Sequence, residues 1–193
     1  MSIALLTFPL RPVNGGNLDY APPKIGDWAA EPKYNGWRSV VHLPTGTMWN
    51  RKGQPLSIAG CFQMAIEALR EVSPCDWVDV EALERRHDVG KGSLIVLDYI
   101  LPQTSYLDRR VLIEQSLPIL APCTEPDNNT VYGTASVDWS DAQGIWDDLR
   151  AYGATHKPLY EGIVAKRTDS LYPLQTDNPK TEYPLWLKHR YLK

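Results

Sequence analysis

The chain lacks the features that mark several large classes of protein. Its three cysteines, Cys61, Cys75 and Cys123, are odd in number and have no CxxC spacing, which argues against a disulfide framework and a zinc site. The longest apolar runs, such as residues 94–97, have the length of a strand and are far too short to cross a membrane. Residues 1–11 lack the basic lead and the cleavage pattern of a signal peptide. These absences predict a protein of a reducing, cytoplasmic compartment.

The chain also lacks the charge and the glycine pattern of two common ligand-binding classes. Its formal net charge is −3, whereas proteins that hold nucleic acid by bulk electrostatics are usually basic. Neither a GxGxxG fingerprint nor a GxxxxGK[ST] phosphate loop occurs. Any contact with nucleic acid is therefore expected to use a local patch, for which segment 166–193 supplies basic residues, although a solvated basic tail is the simpler interpretation of charge alone.

What is present is a mixed pattern of helices and strands without repeats or low-complexity linkers. We expect residues 1–193 to form one domain, because this length suffices for one well-filled core. Residues 1–30 are rich in proline and glycine and predict an extended, turn-laden entry. Helical spacing predicts helices that begin at Ser57, at Asp108 and at Asp138 or Ser140. Strands are predicted at 37–43, 47–51, 77–83, 94–101, 131–137, 162–167 and 185–189. Hairpins interrupted by helices favour an α+β domain over a Rossmann fold.

Six short motifs follow one another along the chain, and each carries side chains suited to phosphate chemistry. They are Glu31-Pro32-Lys33-Tyr34-Asn35-Gly36-Trp37-Arg38, Asn50-Arg51-Lys52-Gly53, Asp79-Val80-Glu81, Leu97-Asp98, Tyr160-Glu161-Gly162-Ile163-Val164-Ala165-Lys166 and Trp186-Leu187-Lys188-His189-Arg190. Arginine binds phosphate oxygens in pairs, and carboxylates bind Mg²⁺. Each motif alone has a plain structural explanation, such as a surface lysine in a turn. Together and in this order they resemble the covalent nucleotidyltransferase superfamily, and within it the catalytic (adenylation) domain of ATP-dependent DNA ligases.

The resemblance implies a fold and a nucleophile. The implied fold is α+β, the ATP-grasp-like nucleotidyltransferase fold, with two packed antiparallel sheets flanked by helices and the nucleotide between them. The implied catalytic residue is Lys33, whose amine attacks the α-phosphate of ATP and then carries AMP as a phosphoramidate. An ordinary lysine is protonated at neutral pH, so a lysine nucleophile needs burial or neighbouring positive charge to free its lone pair. Gly36 lets the chain turn sharply after the lysine.

The resemblance also implies a set of ligand-binding residues around Lys33. Glu31 would lie against the adenine, Leu97 would form an apolar wall for the base, and Glu81 would accept a hydrogen bond from the ribose. Glu161 and Glu81 would hold a divalent metal, either Mg²⁺ or Mn²⁺. The cationic residues implied to contact phosphate or ribose are Arg38, Arg51, Lys166, Lys188 and Arg190.

The implied activity is ATP-dependent sealing of a 5′-phosphate to a 3′-hydroxyl at nicks in duplex DNA, as in DNA repair or replication. Related enzymes usually continue into an oligonucleotide-binding (OB-fold) domain. None is expected in this sequence, so its function would be dispensable or supplied by a separate protein to an otherwise monomeric chain. RNA ligation, guanylyl transfer and a degenerate module that binds nucleotides or DNA ends without sealing them remain alternatives. Three departures from the usual motifs, Asn35, Leu97 and Arg190, favour the degenerate module.

Overall fold

The chain folds into two β-sheets with α-helices packed against them. The computed structural model describes residues 8–16, 18, 26–84, 89–155, 159–174 and 181–191. In chain order the elements are β1 (Arg11–Gly16), β2 (Trp28–Tyr34), β3 (Trp37–His42), β4 (Thr47–Trp49), α1 (Gln63–Val72), β5 (Trp77–Leu83), β6 (Ser93–Tyr99), α2 (Tyr106–Ser116), β7 (Val131–Gly133), β8 (Val137–Asp138), α3 (Ala142–Thr155), β9 (Tyr160–Arg167) and β10 (Glu182–Arg190).

Each sheet has five strands and is mixed rather than wholly antiparallel. The first sheet has the order β1-β10-β9-β2-β8, and the second has the order β4-β3-β5-β6-β7. β1 runs parallel to β10, and β7 runs parallel to β6, while all other neighbours are antiparallel. The predicted α+β architecture of two sheets flanked by helices is confirmed. The expectation of purely antiparallel sheets is corrected by one parallel pair at an edge of each sheet.

The described strands pass between the two sheets at two short links. Only Asn35 and Gly36 separate β2 from β3, and only residues 134–136 separate β7 from β8. An added Cβ at Gly36 would lie 2.6 Å from the backbone oxygen of Ala82. Only glycine therefore fits at this position, where the first link packs against the backbone of β5.

Two groups of buried side chains pack helices against the sheets. α1 packs Ala65, Ile66 and Leu69 against the second sheet. α3 packs its buried face, which includes Trp146 and Leu149, against residues that come from both sheets. Burying such side chains contributes about 1.5–3 kcal/mol each relative to exposure. None of the described helices is both long and apolar enough to span a membrane.

The predicted element boundaries hold in the middle of the chain and fail at several ends. The strand predicted at 77–83 is β5 without change. The first α-helix does not begin at Ser57, because a short 3₁₀ turn at Ala59–Phe62 precedes Gln63. The second begins before Asp108, because the Ser105 hydroxyl accepts the Asp108 N–H at 3.2 Å as its cap.

Candidate functional site

A cleft of about 770 Å³ is lined by residues of both sheets, and every predicted site residue lies on it. These residues are Glu31, Lys33, Arg38, Arg51, Glu81, Leu97, Glu161, Lys166, Lys188 and Arg190. The motifs are therefore brought together in space, although they are spread over residues 31–190 of the chain. The roles of the individual residues remain predictions.

Three neighbouring strands of the first sheet supply the floor of the cleft. Lys33 and Glu31 of β2 line it, as do Lys188 and Arg190 of β10, because side chains two apart on a strand share a face. Between them lies β9, whose Gly162 is aligned with Lys33 on one side and with Arg190 on the other. An added Cβ at Gly162 would lie 1.9 Å from a backbone oxygen of β10. The glycine thus permits the close strand approach that sets this register.

The amine of Lys33 forms a hydrogen-bonded ion pair with Oε1 of Glu161. Nη2 of Arg190 lies 3.2 Å from the same carboxylate oxygen. The side chains of Lys33 and Glu161 are each 18% exposed, so the amine is partly shielded but still open to the cleft. Glu161 therefore fixes the position of the amine and is its nearest proton acceptor.

A buried ionic network forms part of the cleft wall. Lys166 is 2.9 Å from Glu31, and its amine also donates to the backbone oxygen of Leu97 at 2.9 Å. The Tyr106 hydroxyl donates to the other oxygen of Glu31 at 2.7 Å. Burial, and next the charge of Glu31, raise the pKa of Tyr106 well above its ordinary value, which keeps this donor protonated. Lys166 lies over the Trp186 ring at 4.4 Å, so several contacts fix its position.

A second fixed cation comes from β3. Arg38 donates to both oxygens of the buried Asp79, at 3.0 Å and 2.6 Å. Tyr172 also donates to Asp79, at 3.0 Å. This paired geometry holds the guanidinium of Arg38 in one orientation at the cleft wall.

Glu81 is a cleft carboxylate whose pKa is raised by its surroundings. Burial raises its pKa to about 7, against the opposing positive charges of Lys33 and Arg38, and the negative charge of Glu161 adds to the rise. Its Oε1 accepts the backbone N–H of Gly36 at 2.8 Å. A proton on Glu81 is therefore exchangeable close to neutral pH.

This shift predicts how the stability of the metal-free protein depends on pH. The folded protein retains a proton on Glu81 between the ordinary pKa of 4.5 and the raised pKa of about 7, whereas the unfolded chain loses it. The contribution is fully present below pH 4.5 and is lost as pH rises through about 7. Glu81→Gln should remove a decline of about 1.4 kcal/mol per pH unit in this window, measured by urea unfolding in chelator. Parallel pH profiles for the two proteins would contradict this prediction.

The carboxylates of Glu81 and Glu161 are the two predicted metal ligands. Within the described ranges, no group of three or more histidine, cysteine, aspartate or glutamate side chains forms a metal site. Glu81 and Glu161 both line the cleft, and their charges interact. Mg²⁺ in nucleotide sites commonly takes one or two carboxylates and completes its shell with phosphate and water. These two residues fit such an ion, and neither could hold it without further oxygen ligands.

Three side chains belong to the site although no role was predicted for them. Arg11 lines the cleft from β1, Tyr106 contacts Glu31 from α2, and Trp186 packs against Lys166. Trp186 is the first residue of the motif at 186–190, so the sequence already indicated its place. Arg11 and Tyr106 carry no motif, because the pairing of distant segments brings them there.

Comparison with known proteins gives matches of structure only. No protein-family model matches the chain, and neither does any curated protein. A Lig E DNA ligase structure matches 96% of the chain with a TM-score of 0.59 at 11% identity, and a Chlorella virus DNA ligase-adenylate matches 95% with 0.57 at 19%. The chain has the nucleotidyltransferase fold of ATP-dependent ligases. An archaeal ATP-dependent RNA ligase shares this fold, with 95% of the chain covered, a TM-score of 0.54 and 16% identity.

The chain corresponds to only part of the length of each matched protein. The chain spans 69% of the length of the Lig E and Chlorella virus structures, 48% of the archaeal one and 46% of a further matched structure. Both DNA and RNA ligases are among the matches. The fold is therefore shared by ligases of both nucleic acids and does not distinguish them.

Proposed function

We propose that this chain is the catalytic domain of an ATP-dependent polynucleotide ligase that acts on nicked duplex DNA. The observation that carries the proposal is the position of Lys33. Its amine is held by Glu161 in a cleft that also holds every other predicted nucleotide contact. The likeness in fold to ligases, including a ligase-adenylate, supports the same chemistry.

The proposed reaction begins with nucleotidyl transfer to the protein. Lys33 loses a proton, for which Glu161 is the nearest acceptor, and its nitrogen forms a bond to the α-phosphorus of ATP. The bond from that phosphorus to the bridging oxygen breaks, and pyrophosphate leaves. AMP then passes from Lys33 to a 5′-phosphate, and a 3′-hydroxyl displaces it to seal the strand. The covalent intermediate divides one difficult transfer into easier steps.

A divalent ion has a place in this proposal. Glu81 and Glu161 would hold Mg²⁺, or Mn²⁺ in its place, and the ion would offset the charge that develops on the phosphate oxygens. Glu161 also orients Lys33, so one carboxylate serves both tasks.

The charge of the cleft supports a polyanionic ligand. Seven lysines and arginines line it against three glutamates, in a protein whose formal net charge is −3. The cleft is thus locally basic, as expected for any contact with nucleic acid by a protein of negative net charge. A local basic cleft can attract a triphosphate or a phosphodiester without a basic surface elsewhere.

The finer parts of the proposal rest on the motifs alone. The sequence motifs that contain Glu161 and Trp186 look most like those of DNA ligases, which favours DNA over RNA. A role in repair or replication, a monomeric chain, a separate protein in the place of an OB-fold domain and a cytoplasmic location stay predictions. An RNA ligase, and a module that binds ends without sealing them, are the alternatives.

One set of reactions tests these possibilities together. The protein is incubated with α-labelled ATP or GTP and Mg²⁺, and then with a nicked DNA duplex, a nicked duplex containing RNA, or single-stranded RNA. We expect an adduct from ATP and fastest sealing of the DNA nick. Faster sealing of RNA would show that RNA is the preferred substrate, and an adduct from GTP would indicate guanylyl transfer. A gel shift of nicked duplex without sealing would identify a binding module.

A further inference from the structure

The cationic side chains of the cleft differ in whether a carboxylate neutralises them. Four of the seven form the ion pairs described above. Arg11, Arg51 and Lys188 also line the cleft, but no carboxylate of the described residues lies within ion-pair distance of them. Positive charge without a partner is most available to a bound anion.

Two of these three cations, Arg11 and Lys188, lie on neighbouring strands. β1 and β10 pair in parallel, and the Lys188 amine donates to the backbone oxygen of Pro12 at 3.0 Å, directly after Arg11 in the chain. Burial lowers the pKa of Lys188, and the positive charge of Arg11 is the next largest cause. Arg11 itself is exposed. Two like charges that repel one another are thus held close together by the fold, whereas Arg51 lies on an exposed turn after β4.

Lys188 and Arg11 lie on the side of β9 away from β2, with Lys188 in the register row of Glu31 and Arg11 aligned with Glu182. Going outward from β2, the sheet presents β9, then β10 with Lys188, then β1 with Arg11. Strands lie roughly 4.8 Å apart, so β1 is about 14 Å from β2 and Lys188 lies between. A displacement at the α-phosphorus sends the leaving pyrophosphate away from the attacking amine. Its charge therefore needs cations other than those already paired with Glu161.

We propose that Arg11, together with Lys188, forms a subsite for the β- and γ-phosphates of the nucleoside triphosphate and holds the pyrophosphate as it leaves. This inference rests on the proposed function for the identity of the ligand. Arg11 assists by binding the leaving group, so the bonds formed and broken are those of the first transfer step. Phosphate chemistry also occurs in the backbone of a nucleic acid, and the test separates the two sources.

Calorimetric binding of two nucleotides tests the subsite. One is α,β-methylene ATP, whose methylene bridge prevents the displacement, and the other is AMP, which lacks the two outer phosphates. Arg11→Gln should weaken binding of the methylene analogue by about tenfold, as expected for one lost charged hydrogen bond, and should change AMP binding by less than about twofold. Arg11→Lys should retain part of the affinity. Arg150→Gln removes an exposed arginine of α3 outside the cleft and is the matched control.

Three outcomes would overturn the subsite. They are an equal loss for both nucleotides in Arg11→Gln, no loss for either, and a wild-type protein that binds the methylene analogue no more tightly than AMP. A gel shift with nicked duplex completes the test. Weaker duplex binding by Arg11→Gln with unchanged analogue binding would assign Arg11 to the phosphodiester backbone instead. If the wild type makes no adduct and seals nothing, yet the analogue-specific loss remains, the ligase proposal fails and the phosphate subsite stands.

Discussion

Lys33→Ala should abolish the covalent AMP adduct, with a loss of at least about a thousandfold in the rate of labelling. The reason is that alanine supplies no nitrogen nucleophile for the proposed nitrogen–phosphorus bond. The fold should survive, because the Lys33–Glu161 pair is partly exposed and Arg190 remains beside the carboxylate. Intact mass after incubation with ATP and Mg²⁺ gives the measurement. Lys91→Ala, which removes an exposed lysine outside the cleft, should label like the wild type.

The same variant separates the first step from the last. Supplied with a nicked duplex that already carries AMP on its 5′-phosphate, Lys33→Ala should still seal it, because no transfer from the protein is then needed. An adduct that persists in Lys33→Ala would show that another residue is the nucleophile. Loss of sealing on the pre-adenylylated nick, with wild-type thermal stability, would show that Lys33 also acts after the first step.

Asp98→Ala, which removes one partner of the buried ion pair between Asp98 and Arg109, should cause a large loss of stability. Arg109 donates to both oxygens of Asp98, at 2.7 Å and 3.1 Å, and both side chains are almost fully buried. Asp98→Ala leaves a buried guanidinium whose remaining acceptors, among the described residues, are the backbone oxygens of Thr104 and Ser170. A buried charge left without its partner destabilises a protein by about 3–5 kcal/mol. The melting temperature should fall by roughly 6–20 °C, because each kcal/mol shifts a domain of this size by about 2–4 °C.

The neighbouring pair on α2 supplies a control for this measurement. Glu114 is 50% exposed and pairs with Arg110 at 2.8 Å, so Glu114→Gln should change the unfolding free energy by less than about 1 kcal/mol. The double variant Asp98→Leu with Arg109→Met should lose less than the two single losses added together, since no unpaired charge then remains. A melting temperature for Asp98→Ala within about 2 °C of the wild type would refute the role of the pair.

The sequence predicted the cleft through patterns that act locally. Side chains two apart on a strand share a face, so Glu31 with Lys33, and Lys188 with Arg190, were expected to act on one ligand. All four line the same cleft. The order of the motifs predicted the fold for a related reason, since each motif marks the strand or turn that carries it.

What the sequence did not predict depends on contacts between distant residues. β1 pairs with a strand about 170 residues later, and nothing near Arg11 indicates that partner. Arg109 looks like an exposed helical residue, yet it is fully buried because Asp98 is buried opposite it. The strand predicted at 131–137 is divided, since the chain leaves the second sheet after Gly133 and joins the first at Val137.

The two short links between the sheets, at Asn35–Gly36 and at residues 134–136, have a mechanical consequence. Two points fix a line, so a rotation of one sheet relative to the other that leaves both links intact turns about the axis through them. Displacement in such a rotation grows with distance from the axis. Lys33 and Arg38 lie within two residues of the first link and would hardly move, whereas Arg11 lies three strands away from β2 at the edge of its sheet. The Lys33 amine therefore lies beside this axis, and Arg11 lies at the far edge of the same sheet.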